Sequence, residues 1–151
     1  MRAYARRSGY NSNESMLMLL APLGSTDFAL LVLRVVFAVC LFQHGWGKVQ
    51  HIEDLEKYWK VSAPVAWVVA AVQILGAIAL VLGVLTVPFS IALVIVHGVA
   101  TWKLITMANE PFVAPSRHSW SIGLLYILIP LVLAIAGPGR YSLDTSIMLR
   151  T

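Results

Sequence analysis

Four long apolar stretches divide the chain, near residues 28–48, 64–85, 88–106 and 119–137. At about 1.5 Å per residue, some twenty residues of helix cover the ~30 Å hydrocarbon core of a bilayer. The pattern therefore predicts an all-α fold, a bundle of four transmembrane helices, with both termini on one side. The first stretch, Phe28 to Lys48, is interrupted by Arg34 about a third of the way in, and His44 and Lys48 follow one turn apart. Arg34, His44, Gly45 and Lys48 fall on one helix face, which leaves the opposite face to lipid. An arginine inside a span costs about 2.5–3.5 kcal/mol on insertion scales, so it needs a partner or a route to the interface. Two readings are open for Arg34: snorkelling or a structural ion pair on one hand, and a ligand or redox role on the other.

The other stretches carry fewer polar groups, and each is informative. In the second, Ala66, Ala70, Gln73 and Ala77 recur at helical spacing, as do Gln73, Gly76, Leu80 and Gly83. Such small-residue faces let helices approach closely, and Gln73 near mid-membrane needs a partner inside the bundle. In the third, Ser90, Val94, His97 and Thr101 share a face. The fourth is short, and Pro130 predicts a kink. Thr86-Val87-Pro88 reads as a tight turn that makes spans two and three antiparallel neighbours. Asp27, or Thr26, reads as the N-cap of the first span. Gly45-Trp46-Gly47 reads as its end, His51–Lys60 as a charged loop, and Pro64 as the opening of span two. All five tryptophans (Trp46, Trp59, Trp67, Trp102 and Trp120) map to the loop side, either as interfacial anchors or as a docking face.

Composition agrees with this pattern. Of 151 residues, 59% are hydrophobic and 12% charged, and the mean hydropathy is +0.80. A net charge of +4 spread over termini and loops gives no basic stripe for nucleic acid. The lone cysteine, Cys40, allows no internal disulfide and no thiolate metal cage. Residues 1–27 read as a basic arm followed by a short interfacial segment, 28–145 as the membrane domain and 146–151 as a tail. Arg2, Arg6, Arg7, Arg140 and Arg150 lie on the terminal side, against Lys48, Lys57, Lys60, Lys103 and Arg117 on the loop side. With so even a count the first helix decides, and cytoplasmic termini are expected.

Three stretches resemble the DoxX family of small prokaryotic integral membrane proteins. They are Leu33-Arg34 with His44-Gly45-Trp46-Gly47-Lys48; Ala63-Pro64 with Gln73-Ile74-Leu75-Gly76 and Leu82-Gly83-Val84-Leu85-Thr86; and the run from Gly137 to Asp144. The resemblance spans about residues 28–145 and implies a four-helix membrane bundle in a prokaryotic inner membrane. It also implies an association with quinone-linked sulfur oxidation, through thiosulfate:quinone oxidoreductase subunits, and with membrane complexes that handle oxidative stress. The family pattern usually has a glutamate where this chain has Gln73.

These readings define a candidate site. His44 and Lys48 would donate to quinone carbonyls at the loop-side interface, with Trp46 and Trp102 as a flat apolar wall. Arg34, Gln73, His97, Arg140 and Asp144 are the structural polar residues. The tail after Gly137 is expected to fold back so that Asp144, or a backbone carbonyl of 137–143, caps Arg34; Asp27 is the rival partner for Arg34, and Arg140 for Asp144. No intrinsic cofactor motif is found, and quinone is the one cofactor implied. Counting along the helices places His44 roughly 24 Å and His97 roughly 15 Å from the terminal side, too uneven for haem ligation. The function expected is a subunit of a quinone-linked or redox-associated membrane complex; the alternatives are a non-catalytic assembly subunit and a small-molecule carrier. The expected partners are membrane lipids and proteins of such a complex, or further copies of the chain.

Overall fold

The computed structural model describes residues 25–113 and 119–148. The basic arm and interfacial segment expected before residue 25 lie outside them, as do the loop residues 114–118 and the last three residues. Among the described residues there are six helices and no strand. They are α1 (Thr26–Gln50), α2 (Ile52–Trp59), α3 (Ala63–Leu82), α4 (Thr86–Thr106), α5 (Trp120–Ala136) and α6 (Leu143–Met148). The first, third and fourth are long and apolar enough to cross a membrane, and α5, with 17 residues, is a shorter apolar helix. The fold is a four-helix membrane bundle.

Several local readings are corrected by cap geometry. Ser25, not Asp27 or Thr26, caps α1, its Oγ accepting from the Phe28 N–H at 3.2 Å. Asp27 sits in the first turn, where a negative charge suits the helix dipole, and its carboxylate accepts from the Arg140 backbone N–H at 2.9 Å. The helix does not stop at Gly45-Trp46-Gly47. Glycine ends a helix by adopting a left-handed conformation, and neither glycine has positive φ. Gly45 serves close packing instead: a Cβ there would lie 3.0–3.3 Å from Ile74 and the Gln73 Cβ on α3. The stretch expected as a charged loop is the amphipathic helix α2, with Ile52, Leu55 and Trp59 half-buried and Glu53, Asp54 and Lys57 exposed. Its alternation suits a helix lying along an interface. The chain reverses at Gly83–Leu85, with Gly83 (φ 67°) and Leu85 (φ 48°) left-handed, so Thr86-Val87-Pro88 is the first turn of α4 rather than the connection. Pro88 fits there because first-turn N–H groups lack intrahelical partners anyway. Pro64 opens α3 as expected.

The helices pair as α1 with α3 and α4 with α5; α3 and α4 join the two pairs, and α1 and α5 touch sparsely. Ala66, Ala70, Gly76 and Ala77 are all buried on α3, so the small-residue face is the packed one. Lipid gives no hydrophobic drive for this association, and close van der Waals contact takes its place. Phe37, Leu41, Leu80, Leu93 and Leu133 fill the core, while Val36, Val68, Ile95 and Ile135 face outward to lipid.

The terminal side of the bundle is closed by the chain after α5. Arg34 is fully buried, so the snorkelling reading does not hold. Its Nη1 donates to the Pro138 carbonyl at 2.7 Å and its Nη2 to that of Tyr141. Gly137 and Gly139, both at positive φ, turn the backbone inward to present these carbonyls. The cap is thus the backbone, and Asp144 has another task. Its two carboxylate oxygens accept from the Leu85 and Thr86 N–H groups at 2.8 and 3.0 Å, and its own N–H donates to Gly83 O at 2.9 Å. Burial alone would raise the Asp144 carboxyl, but these N–H bonds and the nearby Arg34 charge outweigh it and hold it below the usual range. Asp144 caps α4 and pins the tail to the α3–α4 turn.

Candidate functional site

The opposite end of the bundle is hollow. A cavity of about 750 Å³ lies beside α2, between the loop-side ends of α1, α3, α4 and α5. Val65, Val69, Val96 and Ile122 give it apolar walls, and His44, Lys48, His97, Thr101 and Tyr126 give it polar points. α2 is tied down on this side: Lys103 Nζ donates to the Trp59 carbonyl at 3.0 Å, and the Tyr58 hydroxyl to Glu110 at 3.3 Å. Burial, then the Glu110 charge and hydrogen bond, raise the Tyr58 phenol above its usual value, so it stays protonated and able to donate.

The deepest polar feature is a chain of three hydrogen bonds linking α1, α3 and α4. Lys48 Nζ donates to Gln73 Oε1 at 2.9 Å, Gln73 Nε2 contacts His97 Nε2 at 3.0 Å, and His97 Nδ1 contacts the Leu93 carbonyl at 2.9 Å. One orientation satisfies all three. A lysine can only donate, so the Gln73 oxygen faces Lys48 and its NH₂ faces His97. The Leu93 carbonyl can only accept, so His97 carries its proton on Nδ1 and accepts at Nε2. Both imidazole nitrogens are thereby engaged, and neither has a lone pair free for a metal. Among the described residues no three His, Cys, Asp or Glu side chains cluster as a metal site.

A ring stack backs this chain. Tyr126 lies with its centroid 5.1 Å from His44 and 5.0 Å from His97, and the two histidines are 6.2 Å apart. The depth difference expected from residue counting does not separate them: the count gives the height of a Cα on an upright helix, whereas a ring sits several ångströms beyond it. His44, Lys48 and His97 all line the cavity, and Gln73 bridges Lys48 and His97 behind it. Trp46 and Trp102, expected as its wall, lie outside the lining at 49% and 60% exposure; Trp46 stacks on Phe42 at 6.2 Å along the lipid-facing surface. The wall is formed by His44, Tyr126 and Trp59 instead. Arg34, Arg140 and Asp144 belong to the far end of the bundle.

Sequence reasoning missed Tyr126 and the special state of Thr101. Thr101 is 3% exposed, lines the cavity, and its hydroxyl has no hydrogen-bond partner. Ser119, Gly123 and Tyr126 recur at i, i+4 and i+7, a small and polar face in an otherwise apolar helix. That spacing is the signal that could have found Tyr126.

Fold and cavity together define a small multi-pass membrane protein with one sealed end and one hollow, polar-lined end. Residues 29–106 match the family model DoxX, and the chain belongs to the DoxX family. No curated protein matches the chain, and no solved structure does. The matched region runs from α1 to the end of α4, so it contains Lys48, Gln73 and His97 but not Tyr126 or the tail.

Proposed function

We propose that this chain is an integral membrane subunit whose loop-side cavity receives the head group of a quinone-like ligand, within a redox-associated membrane complex. The observation that carries the reading is the cavity itself, with the Lys48 ammonium beside the flat His44–Tyr126–His97 stack. Quinone carbonyls need donors, and the planar ring needs a flat apolar surface; Lys48 offers N–H groups, and the ring stack offers the surface. No side chain here transfers electrons, so two-electron chemistry would be supplied by the bound quinone. This chain's own residues would bind the ring, orient it and shield it from water. Cytoplasmic termini in a prokaryotic inner membrane would place the cavity at the outer face.

The test is titration of the purified full chain in lipid nanodiscs with a short-chain quinone, read by quenching of Trp59 beside the cavity. Lys48→Ala and His44→Ala should each weaken binding by about tenfold, the loss of one good donor or ring contact. Unchanged affinity in both variants would remove the reading. A second reading, a non-catalytic assembly subunit, draws on Trp46, Trp67 and Trp102, which are exposed at the loop-side end. Stoichiometric recovery with a larger membrane enzyme, without quinone binding, would favour it.

A further inference from the structure

Among the described residues Lys48 has no counter-charge. Its ammonium donates to a neutral amide oxygen, and among the described residues no carboxylate forms an ion pair with it. The nearest acid on the cavity wall, Asp54, is turned to solvent and faces His51 at 3.9 Å. The wall's other cation, Lys103, donates to a neutral carbonyl as well. The His97 tautomer required by the hydrogen-bond chain is neutral. The cavity is therefore positively charged within an apolar surround, where a charge is weakly screened and an unmatched one is costly.

We infer that the cavity selects a membrane-soluble ligand whose head carries a negative charge on oxygen, with Lys48 as the residue that reads the charge. This rests on the cavity being the ligand site, and it names the class of ligand. An ionised ring hydroxyl on a quinone and the carboxylate of a long-chain acid share the required chemistry. Either oxygen would accept from the Lys48 N–H groups not engaged by Gln73, at the strength of a charge-assisted bond. A neutral quinone carbonyl would gain the hydrogen bond without the neutralisation.

Gln73 makes the inference testable without removing Lys48. Gln73→Glu keeps the shape and the acceptor and supplies the missing negative charge from within the protein. It also removes the amide donor to His97, so Lys48→Gln is the companion variant, removing the charge and leaving the Gln73–His97 contact. The full chain in nanodiscs is titrated at neutral pH with two matched pairs: a hydroxynaphthoquinone, ionised under these conditions, against unsubstituted naphthoquinone, and dodecanoate against dodecanol. The charged member should bind about tenfold to a hundredfold tighter in the wild type, the range of one charge-assisted hydrogen bond, and both variants should abolish the preference. If dodecanoate alone shows the preference, the anion inference stands and the quinone reading falls. Equal affinity for both naphthoquinones in the wild type, with Lys48→Gln weakening both alike, would overturn the anion inference and leave the quinone reading intact. If no probe binds, both fall.

Discussion

The two ends of the bundle each hold a cation among apolar helices and treat it in opposite ways. At the terminal side, Arg34 is buried, two of its nitrogens are held by tail carbonyls, and the chain itself closes over it. At the loop side, Lys48 has one neutral partner and borders a cavity. An intramembrane charge is therefore not by itself the mark of a site. What separates the two ends is whether the fold fills the space around the charge: Arg34 keeps one unpaired nitrogen, Nε, yet is wholly enclosed, whereas Lys48 borders a cavity. Arg34 is the more deeply enclosed cation, and the run from Gly137 to Asp144 is built around it. At the other end the fold stops short, and the remaining space has the size of a ligand pocket.

This contrast predicts a separation of stability from binding. Arg34→Met should lower unfolding stability in mild detergent by about 3–5 kcal/mol, since it removes two charge-assisted hydrogen bonds and leaves two buried carbonyls unpaired. Lys48→Met should change stability by less than about 1 kcal/mol, or raise it, because it removes an unmatched buried charge, while ligand binding is lost. Thermal unfolding and titration on the same samples decide it. Equal destabilisation by the two variants would erase the distinction between the ends.

Gly83 sharpens the sealed end. It sits at φ 67°, and a Cβ there would lie 2.8 Å from Ser142 Cα and crowd Arg34 Nη1. Gly83→Ala combines left-handed strain with a backbone clash, and should cost about 2–4 kcal/mol. Ligand affinity at the other end should stay within about twofold, as for distant sites that share no partner. A large affinity change would mean that the ends communicate.

The two ends were not equally legible in the sequence. The four spans follow from run length alone, and the return of the tail to Arg34 follows from topology plus Gly137-Pro138-Gly139. Both are questions of height along a helix axis, which residue counting answers. The cavity is a question of which way each helix turns its faces. Gly45 meets α3, and Trp46, one residue and about 100° further round, faces lipid; a tryptophan at the right depth is thus on the wrong side. The link from Lys48 through Gln73 to His97 joins three helices, and no single-helix pattern records it. Amphipathic α2 was hidden because eight residues with four formal charges and one histidine before them read as easily as a loop.

Acid should loosen the tail. The Asp144 carboxyl is held below the ordinary value of 3.8. Its ionised form is the one that caps α4, so its contribution is complete above the unfolded value and is lost as pH falls through the lower folded value. Asp144→Ala should cost about 1–2 kcal/mol at neutral pH, as for loss of a helix cap. The gap from the wild type should close only as pH falls below the ordinary value of 3.8 and through the lower folded value. A gap that persists unchanged at low pH would mean that Asp144 acts by shape and not by charge.

The smallest expected effect checks the cavity wall itself. Thr101 and Ser90 lie on the same helix; both are buried, and neither hydroxyl has a hydrogen-bond partner. Thr101 lines the cavity and Ser90 does not. Replacing an unsatisfied buried hydroxyl by an apolar group of similar or smaller size removes a desolvation penalty. Thr101→Val and Ser90→Ala should therefore leave stability unchanged or raise it by up to about 1 kcal/mol. Ser90→Ala should do so with ligand affinity intact. Thr101→Val should do the same, because its hydroxyl has no accessible surface and packs against Gly123, out of a ligand's reach. A severalfold loss of affinity in Thr101→Val alone would mean that the ligand turns this hydroxyl into the cavity, and that recognition does not rest on the Lys48 wall alone.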